Sequence, residues 1–374
     1  LSDELESVMR LALTGMGMLS TLGDDVVSSC AALRCGIARP APLRFDVYSE
    51  DEEEGVVRVV GHPLQGLTNG FEGLGLYTLM AAHALSDLVR YAGLDRQDRA
   101  FWASTAVFHC LSRPRMEDLG IPFEELLRKR LVPAVLAELE LPGVSGQGRS
   151  FMSGHASVLE AIHASGQVLF DGGVKRVILL AVDSLVGGDD VMWLAQRGML
   201  KTPERPVGLM PGQAAVALLL EGEVEARRRG ARMEAFIDAV HVGVEPDSRE
   251  RRKSGSGLGL AGVLTRTLAS RQVVPEAYGD LNGEDSRARE WGSALVRLSG
   301  THDLPVAPRC PAISLGDTGS ASGAIAIAAA ARSFVRGYAK GAEVLVWSSS
   351  DSGEVASALV VQGDRSERVA RRSD

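Results

Sequence analysis

Two stretches of small residues, each running into a long apolar helix, constrain this chain more than any other feature. The first is SGHASVLEAIHASGQVLF (Ser153–Phe170); the second is ISLGDTGSASGAIAIAAAARSF (Ile313–Phe334). Small side chains at a turn let a helix start sit tightly against whatever faces it, and two such elbows in one chain suggest a repeat. The flanking pattern agrees. VKRVILLAV (Val174–Val182) and AAVALLL (Ala214–Leu220) are largely apolar, as strands covered on both faces are. Arg10–Ser20, Phe101–Phe108, Ala231–Val242, Val274–Asn282, Ala342–Ser348 and Ala356–Gln362 also read as strands. Helical spacing marks Asp24–Cys35, Gly75–Ala92, Met116–Leu139, Leu258–Ser270 and Asp285–Leu298. Strands therefore alternate with helices, and the class is α/β. The order of elements predicts two duplicated halves, 9–225 and 226–363, followed by a disordered charged tail, 364–374. SEDEEEG (Ser49–Gly55) reads as a solvated acidic loop.

Bulk chemistry narrows the function. At 374 residues, with 45% hydrophobic and 24% charged residues, the chain can bury a large core. A net charge of -8 gives no basic face for nucleic acid. Cys30, Cys35, Cys110 and Cys310 have neither disulfide-framework nor metal-ligand spacing, so reduced thiols in a cytoplasmic protein are expected. No apolar run is long enough to span a membrane, and the start lacks the basic-then-apolar plan of a signal peptide. The chain opens on Leu1 rather than methionine, which implies a missing N-terminus. No cofactor and no metal site is expected.

Six motifs, in order from about Arg10 to Gln362, resemble those of the β-ketoacyl synthases, the condensing enzymes of fatty-acid and polyketide synthesis in the thiolase superfamily. TGMGMLSTLGDDV (Thr14–Val26) is similar to their TGxGxxSPLGxxV; SGHASVLEAI (Ser153–Ile162) to the TACASxxxAI nucleophile elbow; and GLMPGQAAVALLLE (Gly208–Glu221) to GFVxGEGAAVLVLE. EAYGDLNGEDSRAREW (Glu276–Trp291) stands where the family has EAHGTGTxxGDxxE, and SLGDTGSASGAIAIA (Ser314–Ala328) where it has KSxxGHxxGAAG. SSSDSGEVASALV (Ser348–Val360) is a looser match to GFGGxNAxLV. The resemblance implies a five-layered αβαβα sandwich of two similar halves. It also implies a homodimer, or a heterodimer with a ketosynthase-like subunit, and an acyl carrier protein as a further partner.

The same resemblance marks what has changed. The nucleophilic cysteine's place is taken by His155, the first histidine's by Asn282 (the register within YGDLNG being open), and the second histidine's by Asp317. The family's lysine falls on Ala312, the glutamate of GEGA on Gln213, and the GFGG gate on Ser350–Gly353. Condensation needs a thiolate acyl acceptor at a helix N-terminus and two imidazoles to assist decarboxylation. The expectation is thus a homologue without cysteine-dependent condensing activity, pairing with a ketosynthase or binding an acyl or carrier-protein ligand. Two alternatives stand beside it. One is a rewired decarboxylase, hydrolase or acyltransferase, with His155 and Asp317 as a general base and Asn282 or Ser153 as hydrogen-bond donor. The other is an assembly protein whose old site is closed.

Other features read more plainly. His163 is a packed helix residue two turns beyond His155; His109 and Cys110 sit after a short strand near the expected subunit interface, where a catalytic pair is the lesser of the two readings. Asp280, Glu284 and Asp285 read as a solvated acidic turn rather than a metal site. GSGLGLAG (Gly255–Gly262) has dinucleotide-loop spacing but follows the charged run RERRK (Arg249–Lys253), not a strand, so it reads as a linker into a helix. GDTGSASG reads as elbow packing rather than a phosphate cradle.

Overall fold

A computed structural model of the chain describes residues 10–48, 55–113, 117–246, 255–269 and 271–363. The acidic run, the RERRK run and the charged tail lie wholly or mostly outside the described residues. The strands are β1 (Leu11–Ser20), β2 (Ala41–Tyr48), β3 (Val56–Gly61), β4 (Thr105–Cys110), β5 (Arg149–Phe151) and β6 (Arg176–Ser184). They continue with β7 (Gln213–Gly222), β8 (Ala235–Val244), β9 (Ala277–Tyr278), β10 (Glu343–Ser349) and β11 (Glu354–Gln362). Among the described residues β2 and β3 form a separate hairpin, while the other nine make one sheet in the order β5-β4-β6-β7-β1-β8-β11-β10-β9.

Outward from the centre, each side of that sheet repeats one plan. On one side β1 pairs antiparallel with β7, β7 antiparallel with β6, and β6 parallel with β4. On the other, β8 pairs antiparallel with β11, β11 antiparallel with β10, and β10 parallel with β9. The two sides join through a short antiparallel contact, Leu11–Leu13 against Ile237–Ala235.

Every residue of β1 and of β6 is buried, their largely apolar runs being covered on both faces. One face of both sides packs on the same two helices, Ser157–Phe170 and Ser322–Arg336, in a single apolar core. The opposite face of the first side is covered by helices Gly73–Tyr91 and Glu117–Glu138. That of the second side is covered by Leu258–Leu268 and Asp285–Leu298. Five layers result, helix–sheet–helix–sheet–helix, as expected.

Close packing of the outer layer depends on Gly17 in β1, where a Cβ would fall 2.1 Å from the carbonyl oxygen of Ala84 in helix Gly73–Tyr91. The buried Asp87 carboxylate then accepts the N–H groups of Met18 (3.0 Å) and Val26 (2.7 Å), tying three elements at one point.

Two expected strands are corrected. Phe101 lies on a short helix, Arg99–Ala103, because Asp98 caps it by accepting the Phe101 N–H at 2.9 Å; the strand begins only at Thr105. Of Val274–Asn282 only Ala277 and Tyr278 pair, since the chain then turns toward the inner helices.

Candidate functional site

The two small-residue elbows fold alike. In each, a glycine with positive φ (Gly154 at 65°, Gly319 at 50°) opens a single 3-10 turn, Gly154–Ala156 or Gly319–Ala321, and an α-helix follows at once. Both glycines are placed where a β-carbon would be strained. At Gly319 it would also fall 2.0 Å from the Asp183 carboxylate.

These turns bring His155 and Asp317 together. His155 Nε2 lies 2.8 Å from Asp317 Oδ1, and Asn282 Nδ2 donates to Asp317 Oδ2 at 2.6 Å. Asp317 Oδ1 also accepts the Gly319 N–H at 2.8 Å. All three side chains are buried. Of the segment Tyr278–Gly283, Asn282 is thus the residue that reaches Asp317, while Tyr278 packs in the inner core with Arg309 over its ring.

A fourth member, Arg287, was not anticipated. It stands in the first turn of helix Asp285–Leu298 and is 1% exposed. Its guanidinium donates to Asp280 (3.1 Å), Asp351 (2.9 Å) and the carbonyl of Ser349 (2.5 Å), with Glu284 at 3.4 Å. It also meets His155 Nδ1 at 3.2 Å. A guanidinium only donates, so Nδ1 must be the acceptor and the ring carries its proton on Nε2, directed at Asp317. Both imidazole nitrogens are therefore engaged. Burial pushes the Asp317 carboxyl upward, but His155, the Arg287 charge and Asn282 together hold it well below the usual carboxylate range.

The expected solvated acidic turn is corrected by the same cluster. Asp280 is buried and faces Arg287, and Glu284 joins it; only Asp285 is exposed, paired with Arg289 at 2.5 Å. An arginine preceded by its i−3 glutamate was the available signal, but in EDSRARE it reads as an ordinary surface helix.

The remaining candidates resolve locally. Ser153 turns its hydroxyl to Glu160 rather than to His155. Ser350, in the turn after β10, accepts the Ala156 N–H at 3.0 Å and donates to the Ser153 carbonyl, closing the elbow. Gln213 is buried, its Oε1 on the Leu64 N–H (2.9 Å) and its Nε2 on Ser184 Oγ (2.9 Å). Ala312 opens the short helix Ala312–Leu315, with no polar side chain to offer. His163 is half-buried on its helix. The N–H groups at the start of helix Leu258–Leu268 are occupied by Glu245, which accepts from Ser256 (3.1 Å), Gly259 (2.9 Å) and Leu260 (3.4 Å), so GSGLGLAG offers no phosphate cradle. Likewise Asp317 and Asp183 take the Gly319 and Ser320 amides of GDTGSASG.

Cys110 and His109 lie on opposite faces of β4: Cys110 points into the inner core and donates to the Ser157 carbonyl at 3.6 Å. Burial pushes the Cys110 thiol far up, that of Cys30 to about 12 and that of Cys310 to about 11. No thiolate is available from these three at neutral pH.

His109 is buried with no hydrogen-bond partner on either ring nitrogen among the described residues, and burial, then the Arg128 charge, lower it to about 4. The unfolded imidazole titrates near 6.5, so below that pH the unfolded chain takes up a proton the folded chain refuses, and stability falls as pH drops from about 6.5 to 4. Between pH 7.5 and 4.5 we expect this residue alone to cost roughly 2–3 kcal/mol. His62, also buried and lowered, adds in the same direction. Urea unfolding of wild type and His109→Leu at both pH values checks this; an equal acid loss in the two proteins would refute it.

A cavity of about 1090 Å³ opens between β2, helices Gly73–Tyr91 and Glu117–Glu138, and the ends of β6 and β7, and its lining residues Ser112 and Asp183 adjoin the Gly319 elbow. His155, Asn282 and Asp317 are not among its lining residues.

No family model and no curated protein matches the sequence. Solved structures do. The oxazolomycin ketosynthase domain of Streptomyces albus JA3453 is 17% identical, with a TM-score of 0.74 over 95% of this chain and 74% of that one. The ishigamide ketosynthase/chain length factor is 17% identical, with a TM-score of 0.68 over 95% of this chain and 100% of the other. The ketosynthase from module 6 of the bacillaene synthase of Bacillus subtilis 168 is 12% identical, with a TM-score of 0.70 over 95% and 72%. At such identities the likeness is one of fold, and the chain has the thiolase-like fold of ketosynthases. Among the described residues no helix is long and apolar enough to cross a membrane.

Proposed function

We propose that this is a ketosynthase-fold protein without cysteine-dependent condensing activity, which pairs with a ketosynthase or holds an acyl or carrier-protein ligand without condensing it. One observation carries the reading: the side chain in the nucleophile's place is held at both ring nitrogens, by Asp317 and by Arg287. A thiol that could accept an acyl group is absent there, and the imidazoles that would assist decarboxylation are replaced by an amide and a carboxylate. Use of the His155–Asp317 pair as a general base would need the Nδ1 lone pair, which Arg287 occupies, so the rewired-enzyme alternative is the weaker one. A neighbour in fold named as a ketosynthase/chain length factor supports the pairing role.

The test is to incubate the purified chain with acyl- and malonyl-carrier proteins, alone and co-expressed with an intact ketosynthase. We expect no acyl adduct and no condensation product from the chain alone, and a stable complex with the ketosynthase by native mass spectrometry. His155→Cys should stay at background for condensation, because Asn282 and Asp317 cannot replace two imidazoles. Turnover that disappears in His155→Ala would overturn the reading.

A further inference from the structure

Apart from the sign of its charges, β2 has the same character read in either direction. In PLRFDVY (42–48) Phe45 is flanked by Arg44 and Asp46, then by Leu43 and Val47, then by Pro42 and Tyr48. Two such strands, antiparallel about a twofold axis at Phe45, set that ring beside its own copy. Leu43 then falls beside Val47, Pro42 beside Tyr48, and each Arg44 beside an Asp46. Aromatic, apolar and opposite-charge neighbours are the pairs that stabilise adjoining strands.

The fold leaves room for that contact. Among the described residues β2 pairs with β3 along one edge and with no strand along the other. Pro42 lies opposite Val60 and Asp46 opposite Arg58, so residues 43–45 face the single residue Val59 and the strand bulges there. Leu43 and Val47 are buried in the small core beneath, with Val191 and Leu194 of helix Gly188–Gln196. Pro42, Arg44, Phe45 (42%), Asp46 and Tyr48 (73%) are exposed, Arg44 and Phe45 at the rim of the cavity.

We propose that β2 is a self-association surface, on which a second copy of this chain docks its own β2 antiparallel, with the twofold axis passing by Phe45. Charges then alternate across the joined strands, from Arg58 to Asp46 to the second copy's Arg44. Because the bulge interrupts a regular ladder at the centre, the contact rests on side chains rather than on backbone hydrogen bonds. The antiparallel sense also handles the acidic residues 50–54 that follow Tyr48 in the sequence. With six residues between the two Tyr48 positions at about 3.3 Å each, the acidic sequences begin about 20 Å apart, beyond the Debye length of about 8 Å at physiological salt. A parallel arrangement would bring them together. One strand per copy covers less than the ~800 Å² per partner of a standard interface, so the association is a weak one. It is separate from the ketosynthase pairing proposed above and does not rest on it.

Sedimentation velocity of the purified chain, from low to high micromolar concentration, tests it. A doubling of mass with concentration is expected. Arg44→Asp and Asp46→Arg should each weaken that step at least 10-fold, since like charges replace both opposite-charge pairs. An equimolar mixture of the two variants should regain it as a mixed species, because every facing pair is again opposite in sign. Both positions are exposed, so the urea midpoints should stay in place. In a Cys35→Ser background, Phe45→Cys should give a disulfide-linked dimer on oxidation, the two side chains meeting at the axis. Arg44→Asp should keep its complex with the ketosynthase, which separates this contact from that pairing. A mass that does not rise with concentration, a rise unchanged in both single variants, or a mixture that fails to recover it would each overturn the proposal.

Discussion

Replacing Arg287 by methionine should destabilise the protein by about 3–5 kcal/mol, the range for removing one partner of a buried ion pair. The side chain is 1% exposed, and its charge is kept by Asp280, Asp351, Glu284 and Asp317, whose attraction outweighs the effect of burial. Without it, the Asp280 carboxylate loses its cation and His155 Nδ1 loses its donor, both in places that water reaches poorly. The cost is thus mainly that of the charges left behind, since well-packed apolar groups could replace such a pair at little loss. Arg287→Lys should recover part of it, restoring the charge but not the fork that spans Asp280, Asp351 and His155. Urea unfolding measures both variants. A loss below about 1 kcal/mol for methionine would mean that the guanidinium is not the centre of this cluster.

Asp317→Asn is the second large effect, at about 2–4 kcal/mol. An amide in place of the Asp317 carboxylate puts two donors face to face with Asn282 Nδ2, now 2.6 Å from Asp317 Oδ2. It also removes a charge that faces Arg287. Adding Asn282→Asp should recover only part of the loss, because it gives the new amide an acceptor but sets a carboxylate against Glu284, whose Oε2 accepts from Asn282 Nδ2 at 2.9 Å in the wild type. The acid limb provides an independent reading. The folded carboxyl lies well below its unfolded value near 4, so its contribution is fully present above pH 4 and is lost as pH falls below it. Wild type should therefore lose stability below pH 4 more steeply than Asp317→Asn. Parallel acid limbs would count against the assignment.

The fold was legible where burial is written into composition. β6 and β7 are buried almost throughout, and their evenly apolar runs say so; the elbows are visible as small residues because each must present a positive-φ glycine and a tight helix start. His155 and Asp317 could be picked out because they stand at those elbows. Other features depend on partners far along the chain. The β2 strand buries only Leu43 and Val47, too little alternation to mark a strand. Arg287 and Asp280 look like surface residues in a charged segment, and their burial comes from the Ser349–Asp351 turn more than 60 residues later. The helix at Phe101 was foreshadowed by Asp98, yet an aromatic, apolar run outweighed the cap signal.

The central strand has a consequence for how the molecule comes into being. β1 is completed by β7 and β8, and Thr14 meets Leu219 across 205 residues of chain. At ordinary rates of synthesis, about 5–20 residues per second, this fully buried strand waits some 10–40 s for its first partner strand to emerge. Throughout that interval an unpaired edge is on offer. Folding should accordingly be slow and demanding of chaperones, with aggregation setting the yield of newly made chains rather than the stability of finished ones.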